Sequence, residues 1–146
     1  MPSRTIPVKI LGERNTGTHY LEKLLRLNLD VRVLPGSAPR RLRRHFPGNE
    51  AVLDLYFRLT AFANLGWKHA LAPAPDALRR SRWARRGLVI LTLSKNPYAW
   101  LLSLYRHPYH YSGPLPSFER FLQSPWRTVR RERCSDVLPD PWPCGI

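Results

Sequence analysis

The stretch Lys9–Leu25, KILGERNTGTHYLEKLL, decides how the chain is read. It continues a short apolar run, Ile6–Leu11, and passes through Gly12 into a polar segment. From Thr18 to Leu29, residues Tyr20, Leu21, Leu24, Leu25 and Leu27 recur at the spacing of a helix with one apolar face. The expectation is a buried strand, a glycine-bearing loop and a helix. Such a turn exposes backbone N–H groups, and the helix N-terminus adds partial positive charge, so an anion is favoured there. Gly12 and Gly17 fit G-x-x-x-x-G, and Gly17 lets the backbone approach a ligand closely. Arg14, Asn15, Thr16 and Thr18 add side-chain donors. The next positions hold Thr18 and His19, where a nucleotide triphosphatase loop carries Lys and then Ser or Thr. Without that lysine and the magnesium-binding hydroxyl, the loop suits an anion better than a magnesium nucleotide. A plain tight turn before a helix is the bland alternative.

Working outward, strands and helices alternate. VRVLPG (31–36) reads as a second short strand, and SAPRRLRRHFPGN (37–49) as a basic, turn-rich connection. AVLDLYFRLTAFANLG (51–66) reads as a helix, and GWKHALAPAP (66–75) as a short strand or strand end broken by prolines. DALRRSRWARRG (76–87) fits a surface helix with Asp76 as N-cap and Gly87 beyond its end. LVILTLS (88–94) is the clearest strand, its continuous apolar character matching a central parallel strand. Asn96-Pro97 opens a helix running to about Tyr105, and PSFERFLQS (116–124) gives a further short one. The expected class is α/β, a central parallel sheet flanked by helices. The expected organisation is one domain over 1–125 and an irregular tail over 126–146.

Composition narrows the options. The chain has 146 residues, enough for one compact core, and 43% of them are hydrophobic, which argues against wholesale disorder. No apolar run reaches membrane-spanning length, and no charged-then-apolar leader precedes the first strand, so a cytoplasmic protein is expected. Lys and Arg number 24 against 10 Asp and Glu, a formal charge of +14. Only Lys9, Lys23, Lys68 and Lys95 are lysines, and 15 prolines accompany the arginines. The charge favours an anionic ligand or partner. Cys134 and Cys144 lie near the C-terminus without the rest of a metal set and read as reduced thiols. His107 and His110 in HPYH make two potential ligands, too few for a metal site.

A second motif gives the loop its meaning. LVILTLSKNPYAWLLSLYRHPYH places Lys95 at the end of the best strand, Asn96 and Pro97 after it, then Ser103 and Tyr105 on the helix. At this point the chain resembles the sulfotransferase family. Members hold the 5′-phosphosulfate of the activated sulfate donor PAPS (3′-phosphoadenosine 5′-phosphosulfate) on a Lys-Ser-Gly-Thr-Thr loop between strand and helix. They hold its 3′-phosphate with an Arg and a Ser at the Lys95-to-Ser103 spacing. The resemblance covers roughly residues 9–122 and implies a P-loop-like sulfotransferase fold. It implies that Arg14, Asn15, Thr16, Gly17, Thr18 and His19 form the phosphosulfate loop, and that Lys95 and Ser103 hold the 3′-phosphate. Two departures stand out. The family's loop lysine aligns with Asn15, so Arg14 is the nearest source of charge. Its 3′-phosphate arginine is Lys95, which binds phosphate as a point charge without the bidentate fork.

LGWKHALAP resembles the family's Lys-x-His-Leu-Pro stretch, with Lys68 and His69 adjacent here. The resemblance implies His69 as the base that takes a proton from a hydroxyl or amine acceptor, and Lys68 as the stabiliser of charge on the transferring group. Glu13 is the other candidate base, or an ion-pair partner of Arg14 or a neighbour. The implied reaction is in-line transfer of a sulfuryl group from PAPS, leaving PAP, a scheme that needs no metal. The acceptor, a saccharide or another small molecule, is not legible, although Trp67, Trp100, Tyr109 and Tyr111 are available to line a pocket or a core. The competing reading is a non-catalytic basic module, with Arg40–Arg44 and Arg79–Arg86 on nucleic acid or another polyanion. It explains the charge but neither phosphate motif, so nucleic acid is the less expected partner. The chain is shorter than most sulfotransferases, so a C-terminally incomplete fold is expected.

Overall fold

The computed structural model describes residues 5–109, 111, 113–124 and 129–132. Three parallel strands form the sheet: β1 (Ile6–Gly12), β2 (Val31–Val33) and β3 (Val89–Leu93), in the order β2-β1-β3. Helices α1 (Thr18–Asn28), α2 (Arg40–His45), α3 (Glu50–Asn64), α4 (Pro75–Arg80), α5 (Pro97–Arg106) and α6 (Phe118–Gln123) complete the described architecture, with single 3-10 turns at Ala84–Arg86 and Arg130–Glu132. The α/β class and parallel sheet are as expected.

The order of the strands corrects one expectation. β1, not β3, is the central strand: Val8 faces Val33 on one side and Val89 on the other. Pro7 to Leu11 are accordingly buried without interruption, while β3 leaves Val89 and Thr92 exposed. An unbroken apolar run marks burial on both faces, but it does not say how many neighbours a strand has. Val8, Ile10 and Val33 form one core cluster, covered by Leu21 and Leu25 of α1.

Three local readings also change. The 37–49 connection contains α2, six residues without a side-chain cap. Residues 66–75 form no strand; they turn back across the end of β1, with Gly12 N donating to Lys68 O at 2.9 Å. The expected helix over 76–87 stops at Arg80, and Ala74, not Asp76, is its N-cap. Trp83 breaks it by burying completely in a second cluster with Leu34 and Leu65 and donating from Nε1 to Ala63 O at 3.0 Å. An indole that buries its ring also needs a partner for its N–H, and the α3 carbonyl supplies one.

Arg130–Glu132 pack onto α3 in a stretch without a readable pattern. Arg131 pairs with Glu50 and, at 2.8 Å, with Asp54, and its guanidinium lies 4.4 Å from the Trp67 ring. His110, both cysteines and the prolines of the tail lie outside the described residues.

Candidate functional site

The pairing of β1 with β3 builds the site. Gly12 faces Leu93, so the loops that follow the two strands emerge side by side at the carboxyl edge of the sheet. The chain leaves β1 toward β2 on one side and has β3 on the other, which is where open parallel sheets form a ligand crevice.

The first loop is held tightly. Asn15 and Gly17 both take positive φ, 63° and 92°, and Gly17 is the N-cap of α1. A Cβ on Gly12 would stand 2.9 Å from Leu93 O, so only glycine fits between the strands there. Thr16 Oγ1 donates to Glu13 O at 2.6 Å. No side chain caps α1, and no acidic residue lies in its first turn. Its first N–H groups and the positive end of its dipole therefore face the crevice without a built-in anion.

The second loop carries the expected basic residue. Asn96 caps α5, accepting from Tyr98 N and Ala99 N at 3.1 and 3.3 Å. Two turns of α5 then bring Ser103 back over Lys95, whose Nζ donates to Ser103 Oγ at 2.5 Å. The two motifs also touch. Asn15 Nδ2 lies 3.5 Å from Ser103 O and from His107 O, and Trp100 Nε1 donates to Arg14 O at 2.9 Å.

Residues 66–70 close the crevice from a third side. His69 Nδ1 is 2.7 Å from Gly12 O. A carbonyl only accepts, so Nδ1 carries the proton and Nε2 keeps the lone pair. Burial pushes the pKa of His69 down to about 4, against the opposing hydrogen bond to Gly12 and with help from Lys68. Lys68 is buried, and its Nζ lies 3.0 Å from His19 Nε2. Burial lowers the pKa of both members of that pair, and the Lys68 charge lowers that of His19 further.

Arg14 is engaged elsewhere. Its Nε donates to Glu132 at 3.3 Å, and its guanidinium lies 4.8 Å from the Trp67 ring and 5.1 Å from that of Tyr109. Thr18 is buried beneath the loop.

Sequence reasoning missed Lys9. This lysine is fully buried in β1 and donates to Asn64 O at 2.7 Å, Gly66 O at 2.5 Å and Pro35 O at 3.2 Å. Three acceptors match the three donors of an ammonium. Burial, with Lys68 nearby, lowers its pKa to about 8. The signal was present: a lysine inside a strand apolar on both faces must find buried partners. Those partners are the end of α3, the start of the turn carrying Lys68 and His69, and the segment after β2.

Comparison of the chain with protein-family models, with curated proteins and with solved structures finds no match. The site therefore rests on its own geometry.

Proposed function

We propose that the chain binds a nucleotide carrying a 3′-phosphate and an activated 5′-phosphosulfate, as PAPS does, and transfers the sulfuryl group to a hydroxyl or amine. The observation that carries this reading is the meeting of two phosphate-type motifs, 80 residues apart in sequence, at one crevice edge. A P-loop-like sulfotransferase fold and a cytoplasmic setting belong to the same reading.

The residues fit the ligand's chemistry. The uncapped start of α1, from Gly17 onward, offers backbone N–H donors to a phosphosulfate, while the side chains of Asn15 and Thr16 shape the loop through the carbonyls of Ser103, His107 and Glu13, and Thr18 is buried beneath it. Lys95 and Ser103, already in contact, present a cation and a hydroxyl to the 3′-phosphate. Lys68 and His19 supply positive charge and a donor beside the loop. The donor brings the activated sulfuryl group; the protein positions it and stabilises charge. His69 remains neutral through the physiological range and offers Nε2 to the acceptor's proton. Arg14, bound to Glu132, orders the loop from behind through the Trp67 ring.

The test is calorimetric titration with PAP, with 5′-AMP as control. The expected result is binding that requires the 3′-phosphate and weakens at least tenfold in Lys95→Ala and Ser103→Ala. A folded chain that distinguishes neither nucleotide would reject the reading.

A further inference from the structure

A well-formed cavity lies away from the crevice. It is a trough of about 940 Å³ whose floor is one face of α3, with walls from residues 65–73 and from α4. Neither Lys68 nor His69 lines it; they face the other side of the 66–70 turn, toward Gly12 and His19. Leu55 and Phe62 stand open in it, 45% and 72% exposed, beside Leu65, Trp67 and Leu71. An apolar trough of this volume on a highly charged chain calls for an occupant.

The rim says what kind. Arg58, Arg80, Arg82 and Arg130 line the trough, and none has a carboxylate partner among the described residues. Acidic groups nearby are already used: Glu50 and Asp54 pair with Arg131, and Asp76 pairs with Arg79. Arg82 lies 4.5 Å from the Trp83 ring and 6.0 Å from that of Phe62, so its guanidinium is held at the trough's edge. A second copy of the chain would bring the same arginines face to face. The volume falls in the range of small-ligand sites, roughly 300–1,000 Å³.

We propose that this trough binds an anionic amphiphile: a small molecule with an extended apolar portion against Leu55, Phe62 and Leu71, and a carboxylate, sulfate or phosphate on the arginine rim. This site lies on the other side of the 66–70 turn from the nucleotide crevice.

The test uses dodecanoate below its micelle concentration, followed by calorimetry and by tryptophan fluorescence, to which Trp67 at the trough wall contributes. Dodecyltrimethylammonium, with the same tail and the opposite charge, is the control. One saturable site for dodecanoate is expected, with at least tenfold weaker binding of the cationic analogue. The exposed pair Arg58→Glu/Arg80→Glu and, separately, Phe62→Asp should each weaken dodecanoate at least tenfold with unchanged circular dichroism. Arg40→Glu/Arg41→Glu, on α2, should leave it unchanged. Equal binding of both surfactants, or an equal loss from the α2 pair, would reduce the effect to general charge and overturn the proposal. So would a dimer that Phe62→Asp dissociates while dodecanoate fails to bind.

Discussion

Replacing Lys9 by methionine leaves the carbonyl oxygens of Pro35, Asn64 and Gly66 without the donor that serves all three. Buried acceptors without partners are expensive, and the expected loss is about 2–4 kcal/mol in urea unfolding at pH 7. Gly66 adjoins Trp67, so the variant should also loosen the turn that carries Lys68 and His69. A loss below about 1 kcal/mol would mean that the backbone finds other donors. At His69 the prediction concerns pH. Its imidazole titrates near 4 when folded, against about 6.5 in an unfolded chain. Between those values the unfolded chain holds a proton that the folded chain refuses. The stability present above about pH 6.5 should therefore drain away as pH falls toward 4. Urea midpoints at pH 7, 5.5 and 4 should show that decline in the native chain and a shallower one in His69→Gln.

At the scale of elements, the loop between β1 and α1 depends on two glycines for different reasons. Gly17→Ala forces a Cβ into φ 92° in open space, at an expected cost of about 1–2 kcal/mol. Gly12→Ala meets the backbone oxygen of Leu93 and should cost more, because the β1–β3 pairing itself must shift. Thermal unfolding of the two variants ranks them, and the reverse order would mean that the strands slide apart easily. Asn96→Ala should cost about 1 kcal/mol by uncapping α5. These elements were legible because each carries a local signal: the glycine spacing, the Asn-Pro start, the apolar period of α1. The turn at 66–70 was not, because its apolar residues read like a strand and its shape comes from Gly12 and Lys9, over 50 positions away. Likewise the Arg79–Arg86 run gave no hint that Trp83 is an anchor, since its partners are Leu34, Leu65 and an α3 carbonyl. Lys95 and Ser103 were paired in the sequence by the sulfotransferase resemblance, and α5 brings them into contact; the engagement of Arg14 by Glu132 depends on a segment without pattern.

For the whole molecule, the core is divided. The cluster on β1 and β2, that around Trp83, and a third of Ala38, Phe57 and Trp67 are separate groups of buried residues. Trp83→Ala removes the anchor of the second and should cost about 3–5 kcal/mol by denaturant unfolding. A small value would mean that the region folds apart from the sheet. The third cluster bears on function, since Trp67 lines the trough and its ring holds the guanidinium groups of both Arg14 and Arg131. The central position of β1 has a different consequence, one of timing. Its pairing with β2 closes within 25 residues, but its pairing with β3 must await Val89. At about 5–20 residues per second, a chain emerging from the ribosome holds β1 with one side unsatisfied for some 4–16 s. The most deeply buried strand of the described sheet is thus the one longest without its partner. Delayed closure of this kind makes for slow folding and recruitment of chaperones, and overexpression at low temperature should raise the soluble yield.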